Sequence, residues 1–381
     1  MIQNPPKITA QDIAAFYREH GLPEKFCPVP FSTLVFEANG NVCMCRQKGA
    51  EFAVGDIQTQ TVEEIWNGAM LKGIREEFLS GNIRTCAQEI ARDACNLAAD
   101  HAELLQRADF AVHQNRLPLK ITPNFNGRCN LECPMCHIWK FPNGLYDTLD
   151  FWPKLEKELL PHLIEIDTFS GEPFLQKDTY RLIKLAAKTN PSIFWSFTTN
   201  GNWRFNPYVR EHLDSIEIKN FNFSIDTISP ENYPKIRKNG DLQRMLETFH
   251  QVRAYGNERV RAGRVPFKLT IICVVQRDNW QDLPSMLAFR RETGALLELP
   301  CLIWPAELSL QRFDEAMRIQ IIEYLLEKVP ESDLPSCRRV FTVLFEGMSP
   351  IERARLVLEF KRRLSQEQTR TAATTMTIEK T

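Results

Sequence analysis

The chain alternates short apolar runs with amphipathic stretches, and its texture changes near residue 117. Beyond that point, apolar runs of strand length occupy 119–125, 163–169, 193–198, 221–225, 269–275 and 299–303. Between them, 151–160, 177–188, 242–255 and 280–291 carry apolar residues at helical spacing. Regular strand–helix alternation predicts a parallel sheet with crossover helices. Six such units are too few to close an eight-unit barrel. The predicted fold is therefore α/β: a partial (β/α)6 TIM-like barrel of parallel strands, with a small N-terminal cysteine-rich α+β module and C-terminal helices.

In the first part, 9–20 reads as a short helix and 32–45 as a hairpin. The hairpin follows from the alternating run Thr33-Leu34-Val35-Phe36 meeting the turn Asn39-Gly40-Asn41. Thr61 and Glu64 have the spacing of a capping box, with Ile65 and Trp66 immediately after. That helical stretch continues through Phe78, breaks near Gly81 and resumes as an alanine-rich helix to about Asp109. After Pro305 the pattern is helical over 309–328, 335–346 and 350–364. The stretch 366–381 is rich in Thr without apolar periodicity, and is expected to lack order. The expected units are an auxiliary module at 1–112, a core at 113–308, a helical extension at 309–365 and a tail at 366–381.

The 381 residues suffice for one large domain with appendages or for two domains. A net charge of -1 gives no dominant attraction to nucleic acid or to anionic lipid, so neither is an expected partner. The start, Met1-Ile2-Gln3-Asn4-Pro5-Pro6-Lys7, lacks the pattern of a secretory leader. No apolar run approaches the roughly 20 residues of a membrane span. A cytoplasmic location is the expectation, and there clustered cysteines are more often metal ligands or catalytic groups than disulfides. The 11 cysteines are unevenly placed. Cys27, Cys43, Cys45, Cys86 and Cys95 fall early, Cys129, Cys133 and Cys136 form one tight group, and Cys273, Cys301 and Cys337 stand alone. Two metal centres are the first hypothesis.

The tight group, Cys129-Asn130-Leu131-Glu132-Cys133-Pro134-Met135-Cys136, has the form C-x3-C-x2-C and follows the 119–125 run. Three thiolates ligate three irons of a cubane, whereas a passive electron-transfer cluster takes four. The fourth iron is then open to a ligand, as catalytic metal sites keep a vacant position. This spacing resembles the signature loop of radical S-adenosylmethionine (SAM) enzymes, with the likeness running from about 117 to 305. The resemblance implies a [4Fe–4S] cluster on Cys129, Cys133 and Cys136 whose open iron binds the amino and carboxylate groups of SAM. Reductive cleavage there gives methionine and a 5′-deoxyadenosyl radical that abstracts hydrogen from a substrate carbon. Competing readings are a c-type haem attachment at Cys133-Pro134-Met135-Cys136-His137, which leaves Cys129 idle, and a zinc site that recruits His137.

Further segments resemble the cofactor-binding parts of that family. Ser170-Gly171-Glu172-Pro173 is similar to the G-G-E-P motif, with Ser170 in place of the first glycine. By that resemblance it contacts the cofactor's amino group, Glu172 offering a carboxylate or a carbonyl. Asn200, in Thr198-Thr199-Asn200-Gly201, and Ser224 and Asp226, in Ser224-Ile225-Asp226, are candidates for the pocket wall. Ser224 and Asp226 are suited to ribose hydroxyls, and Gln276 stands near the adenine contacts. Each segment also reads as ordinary turn chemistry, but all of them lie just after apolar strands.

Cys27-x12-Gly40-x4-Cys45, followed by Val54-Gly55-Asp56-Ile57, Val62-Glu63-Glu64-Ile65-Trp66-Asn67 and Cys86, resembles the SPASM and twitch auxiliary-cluster modules. Those modules usually follow the core, whereas this one precedes it. Cys27, Cys45 and Cys86 match ligands of one auxiliary [4Fe–4S] cluster, with Cys95 or Cys43 as the fourth. A zinc site on the same thiolates is the alternative. Cys273 is expected in the core, and Cys301 either in the core or at the cavity as a hydrogen donor. Arg259, Arg261, Arg264 and Lys268 read as a solvated loop, or as a grip on a phosphate or carboxylate substrate.

The combined expectation is an oxidoreductase that removes hydrogen from a small alcohol or sugar, with the auxiliary cluster taking the second electron. Modification of a peptide or protein side chain is the alternative within the family. An iron–sulfur electron carrier or a zinc-stabilised binding protein is the alternative outside it. A reductant such as flavodoxin or ferredoxin is implied, and the sequence does not single out a catalytic base.

Overall fold

The computed structural model describes residues 10–46, 52–86, 102–141 and 143–378. Its strands are β1 Thr33–Phe36, β2 Asn41–Cys43, β3 Ala53–Asp56, β4 Lys120–Pro123, β5 Glu165–Thr168, β6 Phe194–Thr199, β7 Glu217–Ser224, β8 Lys268–Ile272 and β9 Leu296–Glu298. They form one sheet in the order β3-β2-β1-β4-β5-β6-β7-β8-β9. The strands from β4 to β9 run parallel, as strand–crossover alternation requires.

The N-terminal hairpin forms where the sequence places it, with β1 antiparallel to β2 around Gly40. It does not make a sheet of its own. β1 pairs parallel with β4 from Thr33↔Lys120 to Phe36↔Pro123, so the cysteine-rich part extends the core sheet. The apolar alternation of β1, buried throughout, suits this inner position and not an edge. The capping box is complete: the Thr61 hydroxyl accepts the Glu64 N–H, and the Glu64 carboxylate accepts the Thr61 N–H at 2.8 Å.

One face of the sheet carries Ile121, Ile166, Trp195, Ile218, Phe221, Phe223 and Ile271, all fully buried. It packs on the crossover helices, as where Phe223 meets Phe249 of the helix Leu242–Arg261. The opposite face is polar. Lys120 and Lys219 both pair with Glu165, Arg46 pairs with Asp167 at 2.8 Å, and Asn220 Nδ2 donates to Ser196 Oγ at 2.8 Å. A register shift between β6 and β7 gives β7 an extra residue, Lys219, which reaches Glu165. Burial alone would raise the Glu165 carboxyl, but Lys120 and Lys219 hold it below the ordinary range.

Several expected boundaries move. The sixth parallel strand lies at Leu296–Glu298, not 299–303, because Pro300 interrupts the ladder. Cys301 keeps only an isolated bridge to Val275. The expected helix at 151–160 divides into Phe151–Lys154 and a wide turn, Leu155–Leu159. Arg259 and Arg261 end the helix Leu242–Arg261 and are not in a loop. Arg259 is buried, donating to the Leu213 and Ile216 carbonyls, while Arg264 pairs with Glu217. The helix from Pro350 runs to Ile378, through a stretch expected to lack order. Its Gln, Glu, Ala and Arg content favours helix despite the threonines. The alanine-rich helix before Asp109 falls largely outside the described residues, which resume with Ala102–Leu105. No helix among the described residues is long and apolar enough to cross a membrane.

Candidate active site

β4 ends at Pro123, and the chain turns through Asn124, Phe125, Asn126 and Gly127 into the three-cysteine loop. Gly127 is required, because a Cβ there would lie 2.1 Å from the Ile138 carbonyl oxygen. Cys133 is buried, Cys129 is half-buried and Cys136 is exposed at the rim. Cys129 Sγ accepts from the Leu131 N–H at 3.4 Å and from Asn200 Nδ2 at 3.5 Å. Arg237 Nη1 points at Cys133 Sγ from 3.9 Å. Burial pushes the Cys129 thiol up to about 11, against the Leu131 N–H. Burial also raises Cys133, with Arg237 pulling the other way. Iron would displace both protons.

The loop after β5 is stitched to this one through main chain. Glu172 N–H donates to the Arg128 carbonyl at 2.9 Å, and Ser170 Oγ donates to the Asn126 carbonyl at 3.1 Å. Gln176 Nε2 reaches the Arg128 carbonyl at 3.1 Å and the Ser170 carbonyl at 2.8 Å. Gly171, at φ +60, leaves no space for a side chain against Arg128. Pro173 opens the turn Pro173–Leu175. The Glu172 carboxylate is fully buried and accepts from Phe174 N–H, the Thr199 hydroxyl and Asn200 N–H. It is a brace between two strand ends.

Asp226, the candidate for a ribose contact, is likewise bonded within the protein. It is fully buried, forms an ion pair with Arg237 at 2.7 Å, and accepts the Val274 N–H at 2.8 Å. Ser224 is half-buried at the end of β7. Gln276 is buried, its N–H donating to Asn279 Oδ1 at 2.8 Å. Asn200 stands against both Cys129 and Asn130, its Nδ2 donating to Asn130 Oδ1 at 3.0 Å. The sequence reading missed Gln176, Arg237 and Arg46, since nothing in a short motif marks their partners. Arg46 follows Cys45 and lies over the Phe169 ring at 3.9 Å as it pairs with Asp167.

In the amino-terminal part, Cys27 is buried, with Cys45 and Cys86 half-buried against the same apolar core. Cys43 faces Val35 across β2 and is fully buried. Burial, with Glu37 and Cys45 nearby, raises its thiol to about 12. Cys95 lies outside the described residues. Cys273 and Cys301 are buried.

Residues 124–289 match the radical SAM superfamily, and residues 27–95 match the SPASM iron–sulfur cluster-binding domain. This chain carries a radical SAM domain and a SPASM domain. The SPASM domain precedes the radical SAM domain in the chain. Among curated relatives, the probable GTP 3′,8-cyclase of Methanocaldococcus jannaschii is 28% identical over 46% of this chain and 56% of its own length. The GTP 3′,8-cyclase of Peptoclostridium acidaminophilum is 25% identical over 55% of this chain and 64% of its own. In each pair the match spans less than two thirds of the relative. Streptococcus suis SuiB bound to S-adenosylmethionine is 14% identical, with a TM-score of 0.39, over 80% of this chain and 69% of that one.

A radical SAM domain brings a [4Fe–4S] cluster and SAM, and a SPASM domain brings an auxiliary iron–sulfur cluster. The donor set fits the first group. Three thiols stand on one loop, and Cys129 and Cys133 each face nitrogen donors of the kind that stabilise cluster sulfurs. Among the described residues, no three His, Cys, Asp or Glu groups converge as a single-ion site requires. A cubane spreads its thiolates over separate irons and needs no such convergence.

Proposed function

We propose that Cys129, Cys133 and Cys136 hold the cluster that cleaves SAM, and that the substrate is a small polar molecule oxidised at carbon. The observation that carries the substrate class is the polar sheet face. Arg46, Lys120, Lys219, Glu165, Asp167, Asn220 and Asn222 line it, bonded to one another or to neighbouring side chains, so the surface offered is charged and polar. Thr122 Oγ1 and Asn124 Oδ1 are buried there without a hydrogen-bond partner among the described residues, so a ligand has polar atoms to satisfy. The cyclase relatives act, by name, on GTP, itself a small polar anion, which supports the class. Their names describe cyclisation, so oxidation is supported by the auxiliary module alone.

When bound, the cluster supplies the electron that splits the sulfonium, and the chain does the positioning. Asn200 fixes Cys129, and the Ser170-Gly171-Glu172-Pro173 backbone sets the wall beside the loop. The core at 113–308 provides this pocket, and the module at 1–112 provides Cys27, Cys45 and Cys86, with Cys95 or Cys43 fourth. A second reading, radical modification of a peptide side chain, is favoured by Ile303 and Trp304. These are 60% and 68% exposed, with Trp304 beside His137 of the cysteine loop.

Anaerobic reconstitution tests the assignment. About eight irons per chain are expected, with 5′-deoxyadenosine formed once SAM and dithionite are added. Iron uptake with SAM left intact would mean an electron carrier.

A further inference from the structure

Arg237 follows a one-turn helix, Tyr233–Ile236, and its side chain is almost wholly buried. Nε lies 2.7 Å from Asp226 Oδ2, and Nη1 lies 3.9 Å from Cys133 Sγ. The guanidinium is thus lodged between a carboxylate and a thiol. Its segment is tied to the cysteine loop from several directions. Glu132 N–H donates to the Lys238 carbonyl at 3.1 Å, and Lys238 Nζ pairs with the Glu132 carboxylate at 2.9 Å. Asn202 accepts the Asp241 N–H at 2.6 Å and donates to the Tyr233 hydroxyl at 2.8 Å. Neither charge of the pair can turn toward water without breaking this lattice.

We infer that the Arg237–Asp226 pair is a fixed dipole whose positive end raises the reduction potential of the cluster held in part by Cys133. This rests on the reading of Cys129, Cys133 and Cys136 as cluster ligands. Reduction adds one electron, from a low-potential donor such as flavodoxin, ferredoxin or dithionite, and makes the cluster one charge more negative. A cation beside one of its sulfurs stabilises that state, and a buried cation is weakly screened by salt. The Asp226 charge opposes it from the far side of the guanidinium. Arg237 is a positioning residue in this role, acting on the cluster through space.

The signs of the two charges give the test. Arg237→Met should lower the midpoint potential, whereas Asp226→Asn should raise it, since asparagine can still accept the Val274 N–H. The measurement is an electron paramagnetic resonance titration of the reconstituted holoenzyme against solution potential. At the wild-type midpoint, R237M is expected to hold about one tenth of the wild-type ratio of reduced to oxidised cluster, equivalent to about 59 mV for one electron. D226N should hold a larger ratio than wild type, and Arg237→Lys, which keeps the charge, should lie between R237M and wild type. Potentials that stay put, or that move the same way in R237M and D226N, would overturn the inference. So would an unchanged potential in R237M with weakened SAM binding, which would make Arg237 a cofactor ligand only. A wild-type protein with no reducible cluster on these cysteines would overturn the ligand reading as well, a result separable from the others by iron content.

Discussion

Glu172 joins the end of β5 to the end of β6, its Oε2 accepting the Asn200 N–H at 2.8 Å. The same Asn200 donates from its side chain to Cys129 Sγ, so the carboxylate holds the residue that holds the cysteine. Thr199 completes the brace, its hydroxyl donating to Oε1 at 2.8 Å. The glutamate of the cofactor-like motif thus also joins two strand ends through its carboxylate.

This brace should give a pH signature. Burial pushes the Glu172 carboxyl up from 4.5 to about 7, against the Asn200, Thr199 and Phe174 donors. The folded chain therefore binds the proton more tightly than the unfolded chain between those values. The stability so contributed is complete below 4.5 and lost as pH rises through about 7, on the order of 3 kcal/mol. Glu172→Gln cannot ionise and loses this slope. In urea unfolding between about pH 5 and 8, the stability difference should move in the variant's favour as pH rises. A flat difference would show that the carboxyl titrates alike in both states.

The tight seam between the two loops predicts an intolerance to one methyl group. A Cβ at Gly171 would stand 2.3 Å from the Arg128 carbonyl oxygen, at φ +60. Gly171→Ala should cost about 2–4 kcal/mol through overpacking and backbone strain. Because Arg128 precedes Cys129, iron retention should fall along with thermal stability. A variant with wild-type melting and full iron would refute the close approach.

Much of this site is written in local sequence. The C-x3-C-x2-C spacing and the polar residues at strand ends are visible because a parallel α/β fold gathers its C-terminal loops on one side. Five of the six parallel strands from β4 to β9 show as apolar runs, since half of each is packed on helices, whereas the mostly exposed β9 lies just before its run. What stays hidden depends on distant partners. Val35 reads as one face of a hairpin, and only the structure pairs it with Thr122 of the core. Arg259 looks like part of a basic loop, yet the Leu213 and Ile216 carbonyls draw it inside. Asp226 has the position of a ribose ligand, and its ion-pair partner, Arg237, sits in a segment with no recognisable pattern. Long-range pairing of buried charges leaves little trace in spacing.

The assignment of the two clusters separates by mutation. Replacing Cys129, Cys133 and Cys136 together by alanine should abolish 5′-deoxyadenosine formation. The iron content should fall to about half, since the auxiliary thiolates are untouched. Survival of SAM cleavage in the triple variant would move the reaction elsewhere. Complete loss of iron would mean that the chain holds one cluster.

Arg75 predicts how firmly the SPASM part is built into the whole. It is fully buried, with Nε donating to the Pro30 carbonyl at 2.8 Å and Nη1 to the Val112 carbonyl at 3.1 Å. Its guanidinium lies over Trp66 at 4.3 Å, and Trp66 Nε1 in turn donates to the Arg116 carbonyl at 2.8 Å. Burial lowers the Arg75 guanidinium to about 10, which still leaves it charged at neutral pH. One side chain thus ties the segment before β1, the helix Ala69–Ser80 and the connection that leads to β4. Arg75→Met keeps much of the apolar stem but strands two buried carbonyls, so it should cost about 2–4 kcal/mol in urea unfolding. Arg75→Lys should recover less than half of that, because an ammonium on a flexible stem cannot reproduce the planar fork over the indole. Since β1 is paired with β4, the loss should appear as one cooperative transition of the whole sheet. An early separate transition of the amino-terminal part would show that the shared sheet does not couple the two.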